Sequence, residues 1–424
     1  MHYLKSTLAV GLATTLLLAG CAGTPVDAPA GPAANPETLA AAPGYDPETK
    51  TITVGALFPL SGFFANTTQD VVAMRAYFQR ATSAGGLLDG YTIEVLAPDT
   101  QYKPDVAIPL YQGLKDKVAL FAGILGSGVT NALLPSMKVD GTVGVAMTDK
   151  SYLTEANIVP TFPSWQIQMA NIIAYEAENG HRDSRFCTLM QDDLFGETTN
   201  IGAQHAIDEL GLDFGEGVRY PFGNTDFTAQ VSTLKDAGCE VIGVGGTGTV
   251  LQGIAVRAAQ LNFDASWVAI GASYSQDIAV GSGADYIKEH MKLAFTGTDW
   301  LSDDVEGQTM LREDVAAIAP DAIPAAITYQ LGYVYAMAAT AVLAQAVEDN
   351  DLSRANILSI ASGGLVVDNH GLGGGDFDYG DKPEDRNPPR GTSIFKVDPS
   401  DPTGLVSIGS NFTSGPGTSI NVQG

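Results

Sequence analysis

The chain has 424 residues, 45% of them hydrophobic, and at roughly 150 residues per domain this length leaves room for two or three domains with large cores. Lys and Arg number 22 against 48 Asp and Glu, which gives a formal net charge of −26 at pH 7. Such a surface repels phosphate backbones, so the composition argues against nucleic-acid binding. The net charge does not identify a ligand, because the charge of a cleft is independent of the charge of the whole surface.

The first residues have the layout of an export signal. Lys5 precedes an apolar run at 8–18, which is shorter than the about 20 residues that a helix needs to cross a bilayer. The sequence Leu-Ala-Gly-Cys at 18–21 resembles the lipobox of bacterial lipoproteins. The resemblance implies a signal peptide at 1–20, cleavage before Cys21 and acylation of its thiol. The alternative is an ordinary signal peptide with an incidental cysteine.

The segment that follows the signal is predicted to be a flexible tether. Residues 21–50 are rich in Ala, Pro, Gly and Thr and have no hydrophobic period, so they have little apolar surface to bury. No later stretch is apolar for long enough to span a membrane, which leaves the lipid as the only predicted anchor. We therefore expect an extracytoplasmic protein of the cell envelope whose folded body starts near Thr51.

The folded body begins as a repeated pattern of strand, turn and helix. The spacing of apolar residues predicts strands at 51–58, 92–96, 118–124 and 143–147 and helices at 66–83 and 104–117. Thr67 and Asp70 have the spacing of a capping box at the start of the first helix.

The same pattern restarts after Pro163. It predicts helices at 166–179, 199–210, 227–237 and 250–261 and strands at 185–190, 217–221, 240–244 and 267–270. This alternation is typical of doubly wound parallel sheets. The fold class is therefore α/β, with two lobes that face each other across one cleft, since ligands bind beyond the carboxyl ends of such strands.

Several short motifs occur in an order that is typical of one family. They lie at 54–62 (VGALFPLSG), 85–90 (GGLLDG), 99–101 (DTQ), 192–196 (DDLFG), 225–230 (TDFTAQ), 234–238 (LKDAG) and 375–378 (GDFD). Together they resemble the Leu/Ile/Val-binding protein family, the type I periplasmic binding proteins, over residues 50–399. The resemblance implies an ABC-type solute-binding protein with a three-crossover hinge. Lobe one would comprise 51–163 plus 299–351, and lobe two 164–298 plus 352–424.

The resemblance also implies which residues of lobe one contact the solute. They lie in the loop at 125–130, with Ser127, Gly128 and Thr130, and in the segment that contains Met147 and Thr148. Glycine lets backbone N–H groups approach an anion, and a helix start adds the positive end of its dipole. The alternative is that Ser127 and Thr130 only cap a helix.

The opposite side of the cleft departs from the amino-acid binders of the family. Trp165 replaces their acid at the hinge, while the remaining candidates are Phe195, Gly246, Thr247, Ser273 and Tyr274. An ammonium buried without a counter-charge costs several kcal/mol, so a standard α-amino acid is disfavoured. An amide, a carboxylate, or an aromatic or aliphatic acid fits Trp165, Phe195 and Tyr274 better. The alternative for Trp165 is core packing.

Enzyme and cofactor functions find little support in the sequence. Residues 243–248 (GVGGTG) satisfy G-x-G-x-x-G, but they follow the third strand of their lobe, whereas a dinucleotide fingerprint normally opens the first βαβ unit. G-x-S-x-G, H-E-x-x-H and P-loop motifs are absent from the sequence. We expect no enzyme activity, cofactor or metal site. A ligand sensor of the same fold is the alternative function, and an exported hydrolase is a weaker one.

The expected partners are a small polar organic solute and an ABC permease, and the chain is expected to be a monomer. Apart from Cys21, the sequence contains Cys187 and Cys239, which the strand order places on neighbouring strands. Side chains on adjacent parallel strands seldom have disulfide geometry, so we expect two free, buried thiols.

Overall fold

The computed structural model describes residues 39–62, 67–246, 248–321, 329–401 and 403–423. The first sheet consists of β1 (Tyr45–Asp46), β2 (Thr51–Leu57), β3 (Thr92–Leu96), β4 (Phe121–Ile124), β5 (Gly144–Met147) and β6 (Ile158–Thr161). Parallel pairing joins β3 to β2, β2 to β4, β4 to β5 and β5 to β6, and β1 runs antiparallel to β2. Every residue of β4, β5 and β6 is buried, as in a parallel sheet covered on both faces.

The second sheet has seven strands in the order β13-β12-β11-β10-β9-β7-β8. They are β7 (Arg185–Gln191), β8 (Asp213–Tyr220), β9 (Val241–Gly245), β10 (Ser266–Ile270), β11 (Met291–Phe295), β12 (Thr392–Val397) and β13 (Leu405–Phe412). The strands from β8 to β11 pair in parallel, and the two last strands of the chain add an antiparallel edge.

Helices cover both faces of each sheet. They are α1 (Thr68–Thr82), α2 (Pro104–Leu114), α3 (Ser127–Asp140), α4 (Trp165–Glu176), α5 (Leu194–Leu210), α6 (Thr228–Asp236), α7 (Gly248–Gln260), α8 (Ala284–His290), α9 (Glu306–Ile318), α10 (Tyr329–Glu348), α11 (Arg354–Ser362) and α12 (Gly415–Ser419). Successive strand residues enter different cores: Ala56 and Leu57 lie on opposite faces of the first sheet, and Val241 and Ile242 on opposite faces of the second. The predicted α/β fold with two doubly wound sheets is confirmed.

The central helix of the first core is α10. It is the one helix in the described part of the chain that is long and apolar enough to cross a membrane, with a mean hydropathy of 1.2. The sequence pattern predicted that no segment after the signal is apolar for long enough to span a membrane. By length and composition that prediction is wrong, since α10 meets both criteria. The helix is 72% buried inside the protein, where Tyr333, Ala336 and Leu343 pack among the other core side chains. Its apolar character is that of a helix surrounded by protein.

The folded body starts earlier than the sequence indicated. Leu39 and Tyr45 are buried in the first core, and β1 pairs with β2 through Tyr45 and Ile52. The predicted tether is therefore too long, because residues 39–50 pack against the first sheet. The predicted signal peptide and residues 21–38 lie outside the described residues.

The segment after Asp351 departs from the predicted lobe boundary. Leu352, Ile357 and Leu372 belong to the core of the first sheet, although the boundary assigned them to lobe two. The physical reason is that α11 packs on α10, so its apolar side chains are covered there. The rest of the division into lobes stays a prediction.

The expectation of free thiols is wrong, since Cys187 and Cys239 form a disulfide. Cys187 lies in β7, but Cys239 lies in the turn before β9 and not in a strand. The restriction on neighbouring parallel strands therefore does not apply, and the Cα atoms lie 5.8 Å apart, within the range that a disulfide spans. Both residues are buried in one core of the second sheet.

Candidate functional site

A cavity of ≈ 100 Å³ lies at the carboxyl ends of strands from both sheets. The first sheet contributes Gly126 after β4 and Met147 at the end of β5, and the second contributes Ala272 after β10 and Thr296 after β11. This is the position in which α/β sheets bind ligands. The volume exceeds several-fold the roughly 10–15 Å³ that a single water needs, so it accepts part or all of a small organic molecule.

The structure brings five of the predicted site residues together on the cavity wall. They are Ser127, Met147, Trp165, Phe195 and Tyr274. These residues come from distant parts of the chain, so their convergence is a result of the fold.

Thr130, Thr148 and Ser273 lie off the cavity wall, with their hydroxyls bonded to the backbone. Thr130 Oγ1 donates to Gly126 O at 3.0 Å, and Thr148 Oγ1 donates to Thr161 O at 3.0 Å. Ser273 Oγ donates to Gly246 O at 2.7 Å, so this hydrogen bond joins two of the predicted residues to each other. Gly128 is not among the lining residues either. Thr247 lies outside the described residues.

The loop before α3 presents a helix start to the cavity. Gly126 has a φ of 109°, and a Cβ there would lie 2.7 Å from the Tyr102 ring, so glycine is required. Ser127 is the first residue of α3 and does not cap it, because no side chain caps this helix. Its hydroxyl is buried and faces the Tyr152 phenol, without a hydrogen bond shorter than 3.5 Å among the described residues. The first N–H groups of a helix lack intrahelical acceptors, so they are available to a polar ligand.

Trp165 lies between the two halves of the molecule. Ser164 caps α4 by accepting a hydrogen bond from Ile167 N at 3.3 Å, which makes Trp165 the first helical residue. The indole contacts cores of both sheets and meets the Phe195 ring edge-on, with centroids 5.4 Å apart. It is only partly buried, so the alternative of simple core packing describes it poorly.

A second aromatic contact joins segments of the two sheets beside the cavity. Tyr102 follows β3 of the first sheet, Phe222 follows β8 of the second, and their ring centroids lie 5.4 Å apart. Tyr102 has a φ of 59°, an uncommon conformation for a residue with a side chain. Burial raises the pKa of its phenol, which keeps it neutral at physiological pH.

Asp70 is a lining residue that the sequence interpretation missed. The predicted capping box does not form, because Thr67 makes no cap and its hydroxyl donates to Pro59 O. Asp70 instead points into the protein, is 1% exposed, and accepts a hydrogen bond from the backbone N–H of Gly332 in α10. Burial raises the pKa of this carboxyl well above its ordinary value.

Two glutamines were also missed. Gln330 Nε2 donates to Thr298 O and Gln308 Oε1, at 2.7 and 2.6 Å, so this amide is occupied by protein. Gln168 Nε2 donates to Pro163 O at 3.2 Å, whereas its Oε1 has no partner among the described residues. Sequence alone gave no signal for Gln330, because it looks like an ordinary helix position.

The cavity wall is poor in charge. No Lys, Arg or His of the described residues lines it, and Asp70 is the one acid. In the described ranges, no group of three or more His, Cys, Asp or Glu side chains is arranged to hold a metal ion.

Two α/β sheets with a mostly apolar cavity at their carboxyl ends define a solute-binding protein of the two-lobed class. The family model described as periplasmic binding protein matches residues 51–402. The chain belongs to this family, which confirms the resemblance seen in the sequence. The family consists of extracytoplasmic substrate-binding proteins of ABC transporters.

Solved structures share the fold at low sequence identity. A fatty acid ABC transporter substrate-binding protein from Thermomonospora curvata is 20% identical, with a TM-score of 0.81 over 91% of this chain and 98% of its own. A branched chain amino acid ABC transporter structure from Thermus thermophilus with bound valine is 16% identical, with a TM-score of 0.72 over 87% and 97%. A solute-binding protein from R. palustris in complex with 4-hydroxybenzoate is 16% identical, with a TM-score of 0.70 over 86% and 97%. No curated protein matches the chain by sequence.

Proposed function

We propose that this chain captures one small polar organic solute, namely an organic acid, an amide or an amino acid, in the cavity and delivers it to an ABC permease. The observation that carries the proposal is the cavity itself, which is lined mainly by apolar and aromatic side chains with a few polar groups. Ligand sites for small molecules have this composition. The named ligands of the three solved structures differ from one another, so they do not select a solute for this chain.

The two sides of the cavity have different roles in this proposal. Ser127 and the first N–H groups of α3 hold the carbonyl or acidic end of the solute. Trp165, Phe195 and Tyr274 close over the apolar part. Because the Tyr274 hydroxyl already donates to Thr403 O, its ring rather than its hydroxyl faces the solute.

Closure of two lobes about the chain crossings belongs to the same proposal. The contact between Tyr102 and Phe222 supports it, since it joins segments of the two sheets directly beside the cavity. A hinge motion that separates these rings would open a path for the solute.

Lipid anchoring through Cys21 is a further part of the proposal. The disulfide between Cys187 and Cys239 supports an oxidising compartment, which agrees with export. A Cys21→Ser variant is expected to lose detergent-phase partitioning, because this residue would carry all of the acyl chains. A variant that remains with the membrane after a salt wash would contradict the anchor.

A ligand screen tests the capture function. Thermal unfolding of the purified protein is measured with amino acids, amides, and aliphatic and aromatic acids, and each hit is titrated calorimetrically. The proposal expects at least one hit that saturates at one solute per chain, because ligand that binds only the folded state raises its stability. Binding at several sites per chain, or hits that bind without raising the unfolding temperature, would contradict it.

A further inference from the structure

Asp70 is a buried acid that faces the proposed solute cavity without a counter-charge. It is 1% exposed and lines the cavity, and its Oδ1 has no hydrogen-bond partner among the described residues. The backbone N–H of Gly332 donates to the carboxyl group. A buried carboxylate normally pairs with a cation or with several donors, so this arrangement leaves its negative form uncompensated.

The surroundings of Asp70 do not supply that cation. No Lys, Arg or His in the described part of the chain lines the cavity. The titratable groups of α10 that interact electrostatically with Asp70 are Tyr329 and Tyr335, and burial raises the pKa of both phenols, so both are neutral. Burial without a nearby cation therefore favours the neutral, protonated form of Asp70 while the cavity is empty, in agreement with the raised pKa of its carboxyl.

The aromatic part of the wall suits a cation. Tyr152, Phe162 and Phe295 line the cavity together with the aromatic residues described above, and aromatic faces attract ammonium groups. Gln168 Oε1 is also a buried oxygen without a partner among the described residues. A solute carboxylate placed beside Asp70 would meet a second acid and no cation.

We propose that Asp70 receives a protonated amine of the solute, and that the protein prefers organic amines with an apolar or aromatic body. The inference rests on the proposed capture function and narrows its solute to amine-bearing compounds. Amino-acid binders of the family have an acid at the hinge position where this chain has Trp165. Asp70 would supply an acid in its place, but from α1 of the first lobe. Binding transfers the Asp70 proton to solvent, since the arriving ammonium stabilises the carboxylate.

The test compares three probes that share a phenyl body. The wild-type protein is titrated calorimetrically at pH 7 with 2-phenylethylamine, 2-phenylethanol and 3-phenylpropionate. We expect the amine to bind at least tenfold more tightly than either of the other two. Titrations in two buffers of different ionisation enthalpy should show net proton release with the amine and none with the alcohol.

Two variants test whether Asp70 is the residue that binds the amine and releases the proton. Asp70→Asn should weaken amine binding at least tenfold and abolish proton release, while alcohol binding stays within about twofold. Glu348→Gln is the matched control, because it removes one negative charge from an exposed position on α10. It should leave amine affinity and proton release unchanged. If Asp70→Asn fails to fold, proton release by the wild-type protein still decides the matter.

Three results would overturn the assignment. They are equal or tighter binding of 3-phenylpropionate, unchanged amine affinity in Asp70→Asn, and amine binding without proton release. Tight binding of a carboxylate or an alcohol that is lost in Trp165→Ala would leave the capture function intact and refute the amine preference alone. Failure of the capture function itself is recognised separately, by the absence of any saturable one-to-one hit in the broad screen.

Discussion

At the scale of single residues, Trp165 carries the largest apolar contact expected between protein and solute. It lines the cavity, contacts cores of both sheets and packs edge-on against Phe195. Removal of an aromatic side chain that is buried against a ligand costs about 1.5–3 kcal/mol of binding free energy, because its apolar area is no longer buried. Trp165→Ala should therefore weaken the affinity for the best ligand of the screen at least tenfold, measured by calorimetric titration.

Tyr175→Ala is the matched control for this variant. Tyr175 lies in the same helix, α4, and makes a similar edge-on contact with Phe412, with centroids 5.4 Å apart, but it does not line the cavity. Its removal should leave affinity within about twofold of wild type. Equal losses in the two variants would show that α4 is being disturbed as a whole, and the assignment of Trp165 to the solute site would be abandoned.

Single residues also show where sequence reasoning fails. Trp165 and Phe195 could be selected from the sequence because the family resemblance places them beside the cleft. Asp70 could not, since a polar residue in the first turn of a helix looks like a cap, and only tertiary packing shows that α10 covers it. Thr148 and Ser273 lie off the cavity wall, and their hydroxyls donate to backbone carbonyls, which only the folded structure shows.

At the scale of elements, the packing of α1 against α10 positions Asp70. Gly332 permits this close packing of the two helices, because a Cβ at this position would lie 1.8 Å from the backbone oxygen of Asp70. Gly332→Ala should push the helices apart and lower the free energy of unfolding by roughly 1–3 kcal/mol, as overpacked cores do. Denaturant unfolding measures the change.

Gly113→Ala provides the comparison for that experiment. Gly113 lies in α2 with no atom within 4 Å of an added Cβ, so alanine meets open space there. Alanine should stabilise this helix by about 0.5–1 kcal/mol, through its higher helix propensity. If Gly332→Ala is as stable as Gly113→Ala, α1 and α10 do not approach each other as closely in solution as the structure indicates.

The disulfide is a second feature that links elements of secondary structure. It joins β7 to the turn before β9 across 52 residues of sequence, and it lies in a core of the second sheet. A cross-link over a loop of this length typically contributes about 2–4 kcal/mol. Reduction of the unfolded protein, or the variant Cys187→Ser with Cys239→Ser, should lower the unfolding midpoint accordingly. The same midpoint with and without the bridge would show that the two thiols are not joined in solution.

Element prediction from the sequence succeeded where the hydrophobic period was strong. The strands at 185–190 and 240–244 and the helix at 227–237 lie within one or two residues of β7, β9 and α6. The strand β6 was missed because its four residues include Pro160, which gives no periodic signal. The pairing of Cys187 with Cys239 was missed because a restriction on neighbouring strands was applied to Cys239, which precedes both the predicted strand at 240–244 and β9.

At the scale of the whole molecule, two sheets form separate cores and share one cavity. The parallel pairing within each sheet follows from the alternation of strands and helices along the chain, which is why the architecture could be predicted. The return of residues 352–379 to the first core could not, since nothing in their composition distinguishes the two cores. Tyr379 Oη donates to Pro160 O at 3.0 Å and so attaches this segment to the strand that precedes the cavity residue Phe162.

The most direct test of the central claim is a crystal structure of the protein with the tightest ligand from the screen. We predict one solute molecule per chain in the cavity, with Trp165, Phe195 and Tyr274 in van der Waals contact with its body. Ligand density anywhere else on the chain, with this cavity empty in the same crystal, would contradict it.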